Sequence, residues 1–188
     1  MSRKNDPRDQ LVSASEFARP NLDFALKALL RAMPVCLPLA TRWVSQQEQR
    51  ILRAGVPLDE PYLTDARVMG VTHPELVRLL KVDEVPLPAD RLLRWAAKRT
   101  KLISSDTAGM TMRYGIFVRS DCWEKRRLIA HECVHTAQYE RLGSVGKFLS
   151  QYLRECLEVG YPSGPLEQEA LLKSQQIDRQ ELVQKKVG

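Results

Sequence analysis

A chain of 188 residues, 44% apolar and 28% charged with 9 Gly and 11 Pro, has the make-up of one ordinary globular domain. That excludes collagen-like, low-complexity and wholly disordered chains, and at this length roughly 70% of the unfolded surface can be buried without help from a disulfide or a metal. The net charge of +6 is spread along the chain, with 16 basic residues in the first hundred positions and 13 in the rest, whereas a nucleic-acid surface gathers its charge on one face.

Residues 1–20 are polar and read as a flexible N-terminus. The region 21–99 reads as helical and packed on the core. Asn21 can cap a helix over LDFALKALLRAM, and LATRWVSQQEQRILRAG forms a second, ending at Gly55. The apolar stretch Leu22–Ala40 is interrupted by Asp23, Lys27, Arg31, Pro34 and Pro38. It lies too far in for a signal peptide and is too broken for a membrane span, so the expected location is cytoplasmic, although a dedicated secretion system leaves no such mark. Thr72 and Pro74 announce a helix over HPELVRLL, and Leu92, Leu93, Trp95 and Ala96 a further short one. Cys36, Cys122, Cys133 and Cys156 are widely spaced and form no C-x-x-C pair, which suits free thiols in a reducing compartment.

Near residue 100 the texture changes. KLIS and MTMRYGIFVR, with SDTAG between them, suit a β-hairpin in which Tyr114, Ile116 and Val118 face one side and Phe117 and Arg119 the other. Asp121, with Glu124 three positions on, can cap the next helix, which runs to Gly143. The dense basic run Lys125–Arg127 at its start reads as a solvated helix face. A helix over SVGKFLSQYLRECLEVG follows, and a last one begins at Pro165 and gives way to a polar tail over 179–188. The expected architecture is α+β: a mostly helical chain with a small, mainly antiparallel sheet.

The chemistry lies in His131-Glu132-Cys133-Val134-His135, an H-E-x-x-H sequence that uses two of the three histidines in the chain. Positions i and i+4 lie one above the other on a helix, so both imidazoles can grip one metal ion, and Glu132 sits beside them to take a proton from a water. Cys133, a middle residue, is expected to be a packed thiol. Catalytic zinc usually takes three protein ligands and leaves a position for water. No histidine follows His135, which excludes a three-histidine site closed from the C-terminal side, and the downstream acidic candidates are Glu140, Glu155, Glu158, Glu167 and Glu169. Glu140 is too close along the same helix, and Glu155 and Glu158 belong to a helix whose apolar stripe points elsewhere. Glu167 and Glu169 lie in the first turn of the last helix, roughly 200° apart around its axis, so only one of them can face the metal. Periodicity does not choose between them.

HECVH followed about thirty residues later by PLEQEA resembles the gluzincin branch of zinc metallopeptidases, most closely its compact bacterial forms with E-x-x-A or E-x-E-A in the second helix. The resemblance covers residues 100–175. It implies a zincin-like core over 100–178 built around an active-site helix, one zinc ion on His131, His135 and Glu167 (Glu169 as the alternative), and Glu132 as general base. It also implies that YGIFVR is the edge strand along which a peptide lies, with Tyr114 and Ile116 in contact with it. Where the family carries a supporting acidic residue after the glutamate block, this chain has Leu171. The oxyanion donor is open among Tyr161, Tyr152, Tyr114, Arg154 and His73, with Tyr161 the named candidate.

The expected function is zinc-dependent hydrolysis of a peptide or protein. The alternative is a non-catalytic zincin-like domain that keeps its metal for a partner or for regulation.

Overall fold

The computed structural model describes residues 20–99, 103–104 and 106–187, with side chains from 31 to 98, 103–104, 106–177. The polar N-terminus and the first two residues of the expected strand KLIS lie outside the described residues. The described chain is mixed α and β and mostly helical. In order it comprises α1 (Pro20–Ala54), β1 (Val56–Pro57), α2 (Tyr62–Met69), β2 (Arg78–Val82), α3 (Arg91–Arg99), β3 (Gly109–Met112), β4 (Gly115–Arg119), α4 (Arg126–Leu142), α5 (Val145–Glu158) and α6 (Pro165–Val187). Among the described residues no helix is long and apolar enough to cross a membrane.

The two helices expected before Gly55 are one, with Pro34 and Pro38 inside it. Each proline removes an N–H donor and crowds the preceding turn. Pro34 and Pro38 are exposed, on the side where water can satisfy the freed carbonyls, while Met33, Cys36, Leu37 and Ala40 turn inward and keep their packing.

The helix expected over HPELVRLL is a single 3₁₀ turn, Pro74–Leu76, followed by β2. Local start signals are outweighed there by pairing: β2 lies parallel to β4, Leu79 opposite Ile116 and Leu80 opposite Phe117, and takes β1 antiparallel on its other side. The hairpin is also tighter than expected. β3 and β4 pair antiparallel inside MTMRYGIFVR, Met112 opposite Gly115, and the reversal falls at Arg113 (φ 64°) and Tyr114; Ile103 and Ser104 form no strand. The sheet order is β1-β2-β4-β3. Two of its three pairings are antiparallel, and its centre is parallel and built from both halves of the chain.

Both faces of the sheet are covered. Leu79, Ile116 and Val118 pack with Ile129, Ala130, Cys133 and Val134 of α4 and with Ala170 and Ile177 of α6. Phe117 and Met112 pack with Val44 and Ile51 of α1, Phe148 of α5 and Leu166 of α6. The alternation read for β4 holds, although Phe117 faces a second core and not solvent.

Asp121 does not cap α4. Its carboxylate is taken by Arg119 at 2.6 and 3.1 Å, residues 120–122 form a 3₁₀ turn, and α4 starts at Arg126. Nor is the basic run simply solvated: Arg126 makes a bidentate pair with Asp65 of α2 at 2.6 and 2.7 Å, and Asp65 is only 2% exposed. Gly143 ends α4 in the left-handed conformation, Ser144 caps α5, and α6 remains helical past residue 179 to Val187.

Candidate metal centre

Helix α4 carries His131 and His135 one turn apart, and the first turn of α6 brings Glu167 across to them. What aims Glu167 is the turn before it. Glu155 of α5 accepts the Leu166 N–H at 2.8 Å, so an acidic side chain sits on the N-terminus of α6 immediately after Pro165, where negative charge is favoured. Glu155 is thereby an anchor for this helix start and not a ligand.

His131 Nε2 lies 3.2 Å from His135 Nε2 and 3.1 Å from Glu167 Oε1, and His135 Nε2 lies 3.3 Å from Glu167 Oε2. Donor atoms about 2.0–2.1 Å from a single zinc stand about 3.3 Å apart at the corners of a tetrahedron. The two imidazole nitrogens stand at about that separation, each faces one oxygen of the Glu167 carboxylate, and the three residues form a group able to hold a metal. Glu167 is only 3% exposed. Burial alone would raise its carboxyl, but the two histidines facing it hold it well below the usual carboxylate range. For His135 burial opposes protonation, yet the bond and charge of Glu167 raise it overall.

Glu169 points away from the histidines. It pairs with Arg141 at 2.8 Å and Lys173 at 2.9 Å, which, with Arg141 the larger influence, brings its carboxyl down to about 2. It also accepts from Gln138 Nε2 at 3.0 Å. Gln138 in turn faces His135 Nδ1 at 2.8 Å through Oε1 and donates to the Leu166 carbonyl at 2.9 Å. Glu140 lies on the far side of α4, accepting from the Thr72 and His73 amides and the Tyr114 hydroxyl. Burial pulls its carboxyl up, and these donors bring it net below the usual range.

Glu132 is buried beside the triad. Thr111 of β3 donates its hydroxyl to Glu132 Oε2 at 2.7 Å and lies 2.9 Å from the Glu132 carbonyl. Glycine at position 109 of the same strand leaves room for this approach: a Cβ there would stand 2.8 Å from Glu132 Oε1, and the Glu132 side chain would have to shift. Tyr152 donates to Glu167 Oε2 at 2.8 Å, and burial and then Glu167 push its hydroxyl well up. Tyr161 is 48% exposed at the rim, its hydroxyl pushed to about 12 by burial and by Glu167 and Glu132, so it is a standing donor at neutral pH. Cys133 is packed into the core, where burial raises its thiol.

The triad and Glu132 open into a cavity of about 930 Å³ whose walls include Trp43 of α1, Leu93 of α3 and Leu149 and Leu153 of α5. Helix α1 thus supplies part of the wall around the site.

The structure corrects one group of expected site residues. YGIFVR is β4, an inner strand between β2 and β3; Ile116 is fully buried and Tyr114 is turned to Glu140, so neither lies on a sheet edge. The edge beside α4 is β3. His73 and Arg154 are exposed and do not line the cavity. Sequence reasoning did not find Thr111, Gly109 or Gln138, and offered Tyr152 only as an oxyanion donor, whereas its hydroxyl bonds Glu167. Gln138 alone had a legible signal, being three residues after His135 on one helix face; the others meet the site only through tertiary packing.

Comparison with known protein families, with curated proteins and with solved structures returns no match.

Proposed function

We propose that this chain is a zincin-like, zinc-dependent peptidase acting on a peptide or protein. The observation that carries the reading is the convergence of His131, His135 and Glu167, their facing nitrogen and oxygen atoms 3.1–3.3 Å apart, with Glu132 alongside and an edge strand running past. One zinc ion, held by those three residues, supplies Lewis acidity and a nucleophile at neutral pH.

The remaining work falls to the chain's own groups. Glu132 takes the proton at its carboxylate and returns it to the leaving amine; Thr111 holds Oε2, which leaves Oε1 for the exchange. Tyr161 supplies a hydroxyl to the oxyanion that develops on the substrate carbonyl. The outer edge of β3 offers backbone groups to an extended peptide, taking the part that the resemblance gave to YGIFVR. The apolar cavity shields the site from bulk water, which strengthens each of these interactions.

The test is metal analysis of protein purified without added zinc, with cleavage of a peptide library by wild type and Glu132→Gln. About one zinc per chain and cleavage lost at least 100-fold in the variant are expected. Absence of bound zinc, or cleavage indifferent to the substitution, refutes the reading. Zinc bound without any cleavage by wild type favours the non-catalytic alternative.

A further inference from the structure

An imidazole can present either nitrogen to a metal, and which one it presents is set by the bond made at the other. For His135 this bond is to Gln138, which is 0% exposed and has nowhere to exchange with water. The orientation of the Gln138 amide follows from its surroundings. Its other end faces two oxygens, the Leu166 carbonyl at 2.9 Å and Glu169 Oε2 at 3.0 Å. A backbone carbonyl can only accept, and the Glu169 carboxylate is the acceptor in its contacts with Arg141 and Lys173. Both N–H groups of the amide are therefore spent on those oxygens, and the oxygen must face His135. An amide oxygen accepts only, so Nδ1 carries a proton and Nε2 is the nitrogen left to ligate a metal held with His131 and Glu167.

Resting on the metal reading above, we propose that Gln138 is the positioning residue of the site: backed by Glu169, it locks His135 into the Nδ1–H tautomer and ties α4 to the backbone beside Glu167. One side chain thus aligns two of the three ligands, through the ring of His135 and through the carbonyl of Leu166, which precedes Glu167. A bond behind a ligating histidine is worth 10–100-fold in metal affinity.

The experiment measures zinc affinity by chelator competition for wild type, Gln138→Leu and the exchange Gln138→Glu with Glu169→Gln, with circular dichroism of each metal-free protein, and the ¹⁵N spectrum of the zinc-loaded wild-type histidines. In the exchange variant a carboxylate oxygen still accepts from His135 and the amide at 169 donates to it, but nothing at 138 donates to the Leu166 carbonyl. We expect Gln138→Leu to bind about 10–100-fold more weakly, the exchange variant to recover only part of that loss, and His135 to be protonated at Nδ1 with zinc on Nε2. A folded Gln138→Leu that binds as tightly as wild type overturns the proposal, and an exchange variant equal to wild type overturns the part given to the Leu166 bond. The ¹⁵N spectrum decides even if Gln138→Leu does not fold: zinc on Nδ1 of His135 overturns the proposal. A wild type that takes up no zinc instead overturns the metal reading on which it stands.

Discussion

The close approach of Gly109 to Glu132 makes a single methyl group a probe of the site. A Cβ at 109 would meet Oε1 at 2.8 Å, and the Glu132 side chain would have to swing away from the triad because Thr111 blocks the other oxygen. Gly109→Ala should lower kcat at least tenfold while leaving zinc content unchanged, since no ligand is touched; steady-state kinetics and metal analysis check both halves. Tyr152 acts on the ligand side. Its hydroxyl satisfies Glu167 Oε2 and its ring lies edge-on to His135, with centroids 5.7 Å apart. Tyr152→Phe keeps the ring and removes the donor, so zinc affinity measured by competition should fall a few-fold, about 1 kcal/mol for one hydrogen bond to a charged group partly made good by water.

Helix α4 is held at both ends by residues that do no chemistry, and each hold gives a measurable signature. At its start Arg126 meets Asp65 of α2; removing the carboxylate leaves a guanidinium with a buried and vacated partner site. Asp65→Ala should cost about 2–4 kcal/mol in denaturant unfolding, the lower part of the range reflecting the partial exposure of Arg126. Towards its end Glu140 accepts three hydrogen bonds that depress its carboxyl. A carboxyl lowered on folding stabilises the fold above its ordinary pKa, and the benefit fades as pH falls through the lowered value. Glu140→Gln should therefore be clearly less stable than wild type at neutral pH, and the gap should narrow as the pH falls below the ordinary carboxyl range and through the lowered value. A gap of constant size would mean that charge is not the cause. These elements also show what was legible beforehand. Helices α3, α4 and α5 could be read because apolar periodicity coincides with local stop and start residues, Gly143 and Ser144 among them. Strand β2 could not, because Thr72 and Pro74 mimic a helix start and only its pairing with β4, more than thirty residues later, makes RLLKV a strand. For the same reason the histidines were visible from spacing on one helix, whereas Thr111 reaches Glu132 only after the hairpin has formed.

At the scale of the whole molecule, the described residues of the first hundred are part of the same unit as the candidate metal site and not an appendage. They contribute β1 and β2 to the sheet, Asp65 to the anchoring of α4, and the inward face of α1 to the cavity. A minimal zinc site needs only the two helices and a strand; the further investment in α1 makes sense if its wall receives part of the substrate. Ala40 lies on that wall, small and half-buried, and is remote in sequence from every proposed ligand. Ala40→Trp would occupy cavity space without touching His131, His135, Glu167 or Glu132. Zinc content and the affinity for zinc should remain those of wild type, while kcat/KM for peptides with bulky apolar residues near the cleaved bond falls at least tenfold through a raised KM, the sign of lost binding common to ground and transition states. Small polar substrates, if cleaved, should be little affected. An unchanged KM for the apolar peptides would place the substrate outside the cavity and return α1 to a purely structural role.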